Sequence, residues 1–237
     1  MNDEKTLQVT LTGELVQPIR LYYHLADKKL LIDRFRRLRC MDFDRDKNRW
    51  VWLYQYEAKT LSFQKPYLAI PKEMHPIVIG SFSLKGDETF LDLRSFDRAT
   101  KAVPFFDKHV GPDAARITHA AVVNRLFDAQ ERFPSTLDSF FCSGKITERR
   151  PDESIREIRS SIEANRSQGE CDLRAVVEQG ARKPLPEIEK FPVHFYEDGI
   201  RSLEAVLRIR QLIAFEHWKG NLNYSFYDAL KATIPGL

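Results

Sequence analysis

Asp42-x-Asp44-x-Asp46 puts carboxylates at every second position inside the stretch CMDFDRDKNRWVWLYQYEAK, residues 40–59. Oxygens at positions 1, 3 and 5 are how an EF-hand loop begins to wrap a hard cation. The rest of such a loop does not follow. Position 6 is Lys47, where a glycine permits the sharp turn, and position 12 is Leu53, where a bidentate glutamate closes the coordination shell. The triplet reads as a solvated strand end and its turn.

Farther along the stretch, Glu57-Ala-Lys59 resembles the E-x-K of the PD-(D/E)xK nuclease family in those three letters. The resemblance implies a carboxylate on a neighbouring strand that shares Mg²⁺ with Glu57, while Lys59 supports the charge at a phosphodiester. Asp33 is the carboxylate near enough along the chain. A hairpin with its loop at residues 45–48 would pair Asp44 with Arg49 and Arg36 with Glu57, which carries the aspartate triplet away from Glu57. It also puts Asp33 on the face opposite Glu57 and Lys59, because side chains alternate along a strand. Asp33, Glu57 and Lys59 form the alternative catalytic set, with a Glu57–Arg36 pair as the plain structural reading.

The same register lines Trp50, Trp52, Tyr54 and Tyr56 up against Phe43, Met41, Arg39 and Arg37. Arginines beside tyrosines on a sheet can hold single-stranded nucleic acid, since bases stack on rings and guanidinium groups meet phosphates. The basic run from Lys28 and Lys29 through Arg34, Arg36, Arg37 and Arg39 adds local positive charge. The competing expectation is that this face packs under a helix, with the arginines stacked at its rim. Arg37, Arg39, Tyr54 and Tyr56 are the candidate binding residues.

Other chemistry is sparse. The chain lacks the short phosphate-loop, dinucleotide, zinc-protease and nucleophile-elbow signatures. Its six histidines are dispersed, and His194 near Glu197 and Asp198 has no nucleophile beside it. Cys40, Cys142 and Cys171 are far apart and read as free thiols. No cofactor and no metal ligand set is expected. The net charge of +3 is too small on 237 residues to require a nucleic acid or a membrane as partner. No apolar run reaches the ~20 residues that cross a bilayer, and a cytoplasmic location is expected. The function expected is protein binding without catalysis; the alternatives are nucleic-acid binding through the Arg/Tyr face and metal-dependent nuclease activity.

The elements that would position these residues belong to an α+β fold with an antiparallel, strand-rich N-terminal half. Alternation predicts strands at 7–12, 19–25, 38–43 and 50–57. Residues 76–127 form a strand-strand-helix-strand unit whose helix is capped by Ser95 and interrupted at Pro104. The C-terminal half is helical, with short helices from Pro134 and Pro151, one near 173–177, a long one at 199–218 and a last one at 225–232. The expected division is an α+β domain at 1–130 and a mainly helical region at 131–237. A proline-rich linker is expected at 180–192, with the helical region either separate or docked on the sheet.

Overall fold

The computed structural model describes residues 6–86, 88–141, 144, 146–150, 153, 156, 159, 160, 163 and 178–233. Among them the architecture is α+β: one largely antiparallel eight-stranded sheet, with helices concentrated in the C-terminal half. The strands are β1 (Ile19–Leu25), β2 (Met41–Asp44), β3 (Arg49–Leu53), β4 (Val78–Lys85), β5 (Glu88–Leu93), β6 (Ala115–Val123), β7 (Thr147–Glu148) and β8 (Ile188–Pro192). Their spatial order is β2-β3-β4-β5-β1-β6-β8-β7, antiparallel throughout except for the parallel pair β7 and β8. The helices with defined bounds are α1 (Lys28–Arg37), α2 (Phe96–His109), α3 (Asp138–Phe141), α4 (Phe195–Asp198), α5 (Ile200–Trp218) and α6 (Phe226–Thr233), and residues 178–181 are also helical.

The unit at 76–127 forms as its pattern dictates: β4, β5, α2, β6. Ser95 is fully buried, and its hydroxyl accepts the Arg98 N–H at 3.1 Å, which satisfies an otherwise orphaned donor of α2. Pro104 does not shorten the helix, which continues to His109. Proline removes one intrahelical bond, the one that would reach the Thr100 carbonyl, and that side of the helix faces solvent. The helix ends at Gly111 with φ +74°, a left-handed turn in which a Cβ would collide with the Arg34–Asp113 ion pair.

Side-chain alternation gives each face of the sheet its own core cluster, and a third lies between α5 and α6 around Ile209, Ile213 and Ala229. Ala120 and Val122 of β6 face the larger cluster, under α1, α2 and α5, whereas Ala121 and Val123 face a smaller cluster with Phe127, Leu137 and Phe141. The larger cluster is rich in rings. Phe35 of α1 packs on Trp50 at 5.5 Å and on Phe82 at 5.0 Å, and Phe106 of α2 packs on Phe82 and Trp52, each at 4.8 Å.

Four expectations need correction. Residues 28–37 are a helix, not the approach to a strand: Asp27 caps it by accepting the Leu30 N–H at 2.9 Å, and Leu31 and Phe35, one turn apart, are buried. Residues 7–12 make only isolated bridges, Leu7 with Asp128 and Val9 with Leu15. The strands at 38–43 and 50–57 shorten to β2 and β3. Residues 188–192, expected within a linker, are strand β8, paired with β6 from His119↔Pro192 to Val123↔Ile188. Proline is tolerated there because Pro192 stands at the strand's end. Of the helix expected around Ile155, Ile158 and Ile162, the described residues Glu153, Arg156, Arg159, Ser160 and Glu163 are helical, whereas the three isoleucines, the helix expected at 173–177, and Cys142 and Cys171 lie outside the described residues.

Glu189 of β8 is wholly buried and receives three charged or polar donors: Arg210 Nε at 2.6 Å, Arg149 Nε at 2.5 Å and Asn124 Nδ2 at 2.8 Å. Burial raises its pKa, but the two guanidinium groups outweigh it and hold the carboxyl below its usual value. A depressed folded pKa stabilises the fold above the unfolded value of about 4.3, and that contribution is lost as pH falls through the folded pKa. Glu189→Gln should lower stability at neutral pH by ~3 kcal/mol, because it strands the buried Arg210 and releases the exposed Arg149, and should flatten the decline below about pH 4.3. Urea unfolding at pH 7 and pH 3 checks this; a wild-type-like profile would refute the assignment.

Candidate binding surface beside the hairpin

The hairpin register near its turn is the expected one: Met41↔Trp52, Asp42↔Val51, Phe43↔Trp50 and Asp44↔Arg49. Asp44 accepts from the Lys47 N–H at 3.2 Å and from Arg49 at 3.3 Å, so it serves the turn. Beyond Met41 the ladder stops, and the four candidate residues part company. Tyr54 is only 2% exposed; its ring meets Phe63 and Tyr67 edge-on at 4.9 and 5.5 Å, and its hydroxyl donates to the Leu61 carbonyl at 3.0 Å. It is a core residue. Arg37 ends α1 in solvent and stacks on no ring among the described residues.

Arg39 and Tyr56 do meet, though not across a ladder. Tyr56 opens a 3-10 turn at Tyr56–Thr60 with φ +48°, a backbone region that bulky residues rarely adopt. That twist carries the ring out of the sheet to 46% exposure, and the Arg39 guanidinium lies 3.9 Å from its centroid. Held strain of this kind collects at functional positions. Such a stacked pair contributes about 0.5–1 kcal/mol when exposed.

The alternative catalytic residues each serve a different partner. Asp33 pairs with Arg36 at 3.5 Å within α1, which also removes the expected Glu57–Arg36 pair. Glu57 accepts the Cys40 N–H at 3.0 Å, and the Lys59 ammonium sits 4.1 Å over the Tyr67 ring. Among the described residues there is no group of three or more metal-ligating side chains.

The turn at 56–60 leads into a feature that sequence reasoning missed. Thr60 and Leu61 form one wall of an open groove of about 980 Å³ whose other walls are α2 and α5, with Thr233 at the end of α6. Its floor is apolar, with Phe96, Phe105, Leu207 and Ile209, and its rim carries Lys101, Lys108, Arg201 and Arg208. His109 lies there against Phe105 at 4.6 Å; burial, then the Lys108 charge, lowers its pKa, so it is neutral at pH 7. The available signal was the polar face of two amphipathic helices, Pro104-x-x-x-Lys108 and Arg201-x-x-Glu204-x-x-x-Arg208, distant in sequence. Glu204 and Arg208, four residues apart, close no ion pair in the described structure. Among the described residues no helix is long and apolar enough to cross a membrane.

Cys40 ties the hairpin to the turn and is fully buried. Burial, and then its contact with Glu57, pushes the thiol up to about 12. A raised folded pKa stabilises the fold below the unfolded value of about 8.5, and this is lost as pH rises toward the folded one. With Cys142 and Cys171 replaced by serine, Cys40 should therefore resist a thiol reagent at pH 8 in the folded protein and react freely in urea. Rapid labelling without denaturant would contradict the burial. No protein-family model matches the chain, and no curated protein or solved structure matches it significantly.

Proposed function

We propose that this chain is a binding protein that engages another protein through the surface running from Arg39 and Tyr56 along the 56–60 turn into the groove between α2 and α5. One observation carries the reading. A tyrosine held outward at φ +48° and stacked under an arginine stands at the head of a turn whose end lines an open, apolar-floored groove. Tyrosine and arginine anchor interfaces because both bury large area while keeping a polar end satisfied. The adjoining Leu68, 94% exposed on the turn Tyr67–Ala69, lines a neighbouring hollow with Lys59 and Leu61 and extends the apolar surface. The carboxylates and the thiol nearest the surface serve structural partners, which favours binding over catalysis.

The test is a photo-cross-linking residue placed at Thr60 in the full chain, in nuclease-treated source lysate. A protein adduct is expected, and Arg39→Ala or Tyr56→Gly should weaken its formation about tenfold, a loss of roughly 1–2 kcal/mol. Glycine is at ease at positive φ, so Tyr56→Gly should leave stability within about 1 kcal/mol of wild type. An adduct unaffected by both variants, or none, would remove the reading.

A second reading has its own observation. Lys28, Lys29, Arg36, Arg37 and Arg39 are all exposed on or beside α1, and among the described residues Asp33 is the one acid paired to them. That array suits a phosphate backbone. On this reading oligonucleotide affinity falls steeply with salt, and Arg37→Ala lowers the salt slope by about one. Affinity indifferent to salt, measured by fluorescence anisotropy, would exclude it.

A further inference from the structure

The groove has a chemical signature beyond its size. Four cations line it, Lys101, Lys108, Arg201 and Arg208, against two carboxylates, Asp97 and Glu204, which leaves two positive charges in excess with His109 neutral. Asp97 already holds Lys101. Lys108, Arg201 and Arg208 are exposed and make no ion pair in the described structure. Between these charges lies apolar surface, Phe105 on the floor and Leu61 on the wall beside it. Among the described residues the buried arginines are matched: Arg20, Arg98 and Arg210 are each paired with a carboxylate.

The walls supply the shape. Two helices, α2 and α5, pack side by side over the sheet, and the furrow above such a pair accepts the side-chain ridge of a third helix. An apolar stripe at positions i, i+3, i+4 and i+7 fills the furrow, and the flanking positions reach the rim. Pro104 lies on this side of α2 and has no N–H to give the Thr100 carbonyl, and both residues line the groove.

We propose that the groove seats an acidic amphipathic helix of the partner protein, its apolar stripe on Leu61 and Phe105 and its carboxylates on Lys108, Arg201 and Arg208. This rests on the protein-binding reading and specifies the partner's chemistry. A nucleic acid meets the cations but not the apolar floor. A basic helix meets the floor and is repelled by the rim.

The test uses the full chain and two displayed peptide libraries, each about 16 residues long, roughly 24 Å as a helix. One fixes apolar residues at i, i+3, i+4 and i+7, the other at alternate positions, and both randomise the remainder among Glu, Lys, Gln and Ser. Selection is expected to enrich the helical library in Glu, and the winners should bind Lys108→Glu/Arg208→Glu at least about tenfold more weakly. Both substituted residues are exposed, so the variant should melt as wild type does. Enrichment of Lys-rich or alternating sequences, no enrichment, equal binding to the charge-reversed variant, or displacement of the winners by oligothymidylate would each overturn the proposal. The two readings fail separately. A protein adduct at Thr60 alongside a failed selection discards the acidic helix and keeps protein binding; loss of that adduct discards protein binding itself.

Discussion

Phe106 touches the rings of Phe82 and Trp52 at 4.8 Å, Phe105 at 5.2 Å and Phe35 at 6.3 Å, and most of the molecule's layout follows from that contact. Each aromatic side chain buries a large apolar area, and tilted or edge-on pairs add to it. The cluster presses α1 and α2 onto β3 and β4, which closes the tryptophan face of the hairpin to solvent. Whatever that hairpin offers a partner must then emerge at the rim. Tyr56 does so at the cost of a strained backbone angle, and the turn it opens supplies a wall of the groove.

Charge fixes what the rings leave free. Arg20, 1% exposed in the middle of the sheet, grips Asp92 with two bonds of 2.7 and 2.9 Å and reaches Asp138 of α3 at 2.6 Å, while its guanidinium lies 3.7 Å from the Phe90 centroid. Arg98 of α2 reaches Glu14 at 3.4 Å and Thr12 at 2.6 Å, which pins the N-terminal segment without a regular strand. Buried pairs of this type add little net stability, yet a packing that separated them would strand a charge in the interior at several kcal/mol. They act chiefly against wrong arrangements: β1 to β5, α2 to the N-terminal segment, and β8 to α5 are each fixed by such a pair.

Where the chain's signals were local, the sequence was legible. Alternation and the cap at Ser95 foretold β1, β4, β5, α2 and β6, and the charged turn foretold the hairpin register as far as Met41. The errors arose where a second signal overrode the first. The cap at Asp27 and the Leu31–Phe35 spacing outweigh the continuation of a hairpin arm, so α1 took residues assigned to a ladder. Arg39 and Tyr56 were read as binding residues, and they do come together, but by a turn and a positive φ that no pairing rule encodes. Tyr54, chosen on the same rule, is enclosed by Phe63 and Tyr67, whose positions depend on an irregular segment. The groove was illegible because its walls come from residues near 60, 100 and 205, which only the tertiary fold brings together.

Strand β8 has a further consequence for how the chain reaches its fold. It lies between β6 and β7, so the outer edge of β6 keeps unpaired N–H and C=O groups until residues near 190 have been synthesised. The nascent chain must hold an open sheet edge across more than sixty residues of elongation. Closure by β8, with Glu189 drawn between Arg149 and Arg210, is thus a late, long-range step of high contact order. During that interval the exposed edge of β6 is open to pairing with a second copy, and a chaperone that covered it would shield the chain.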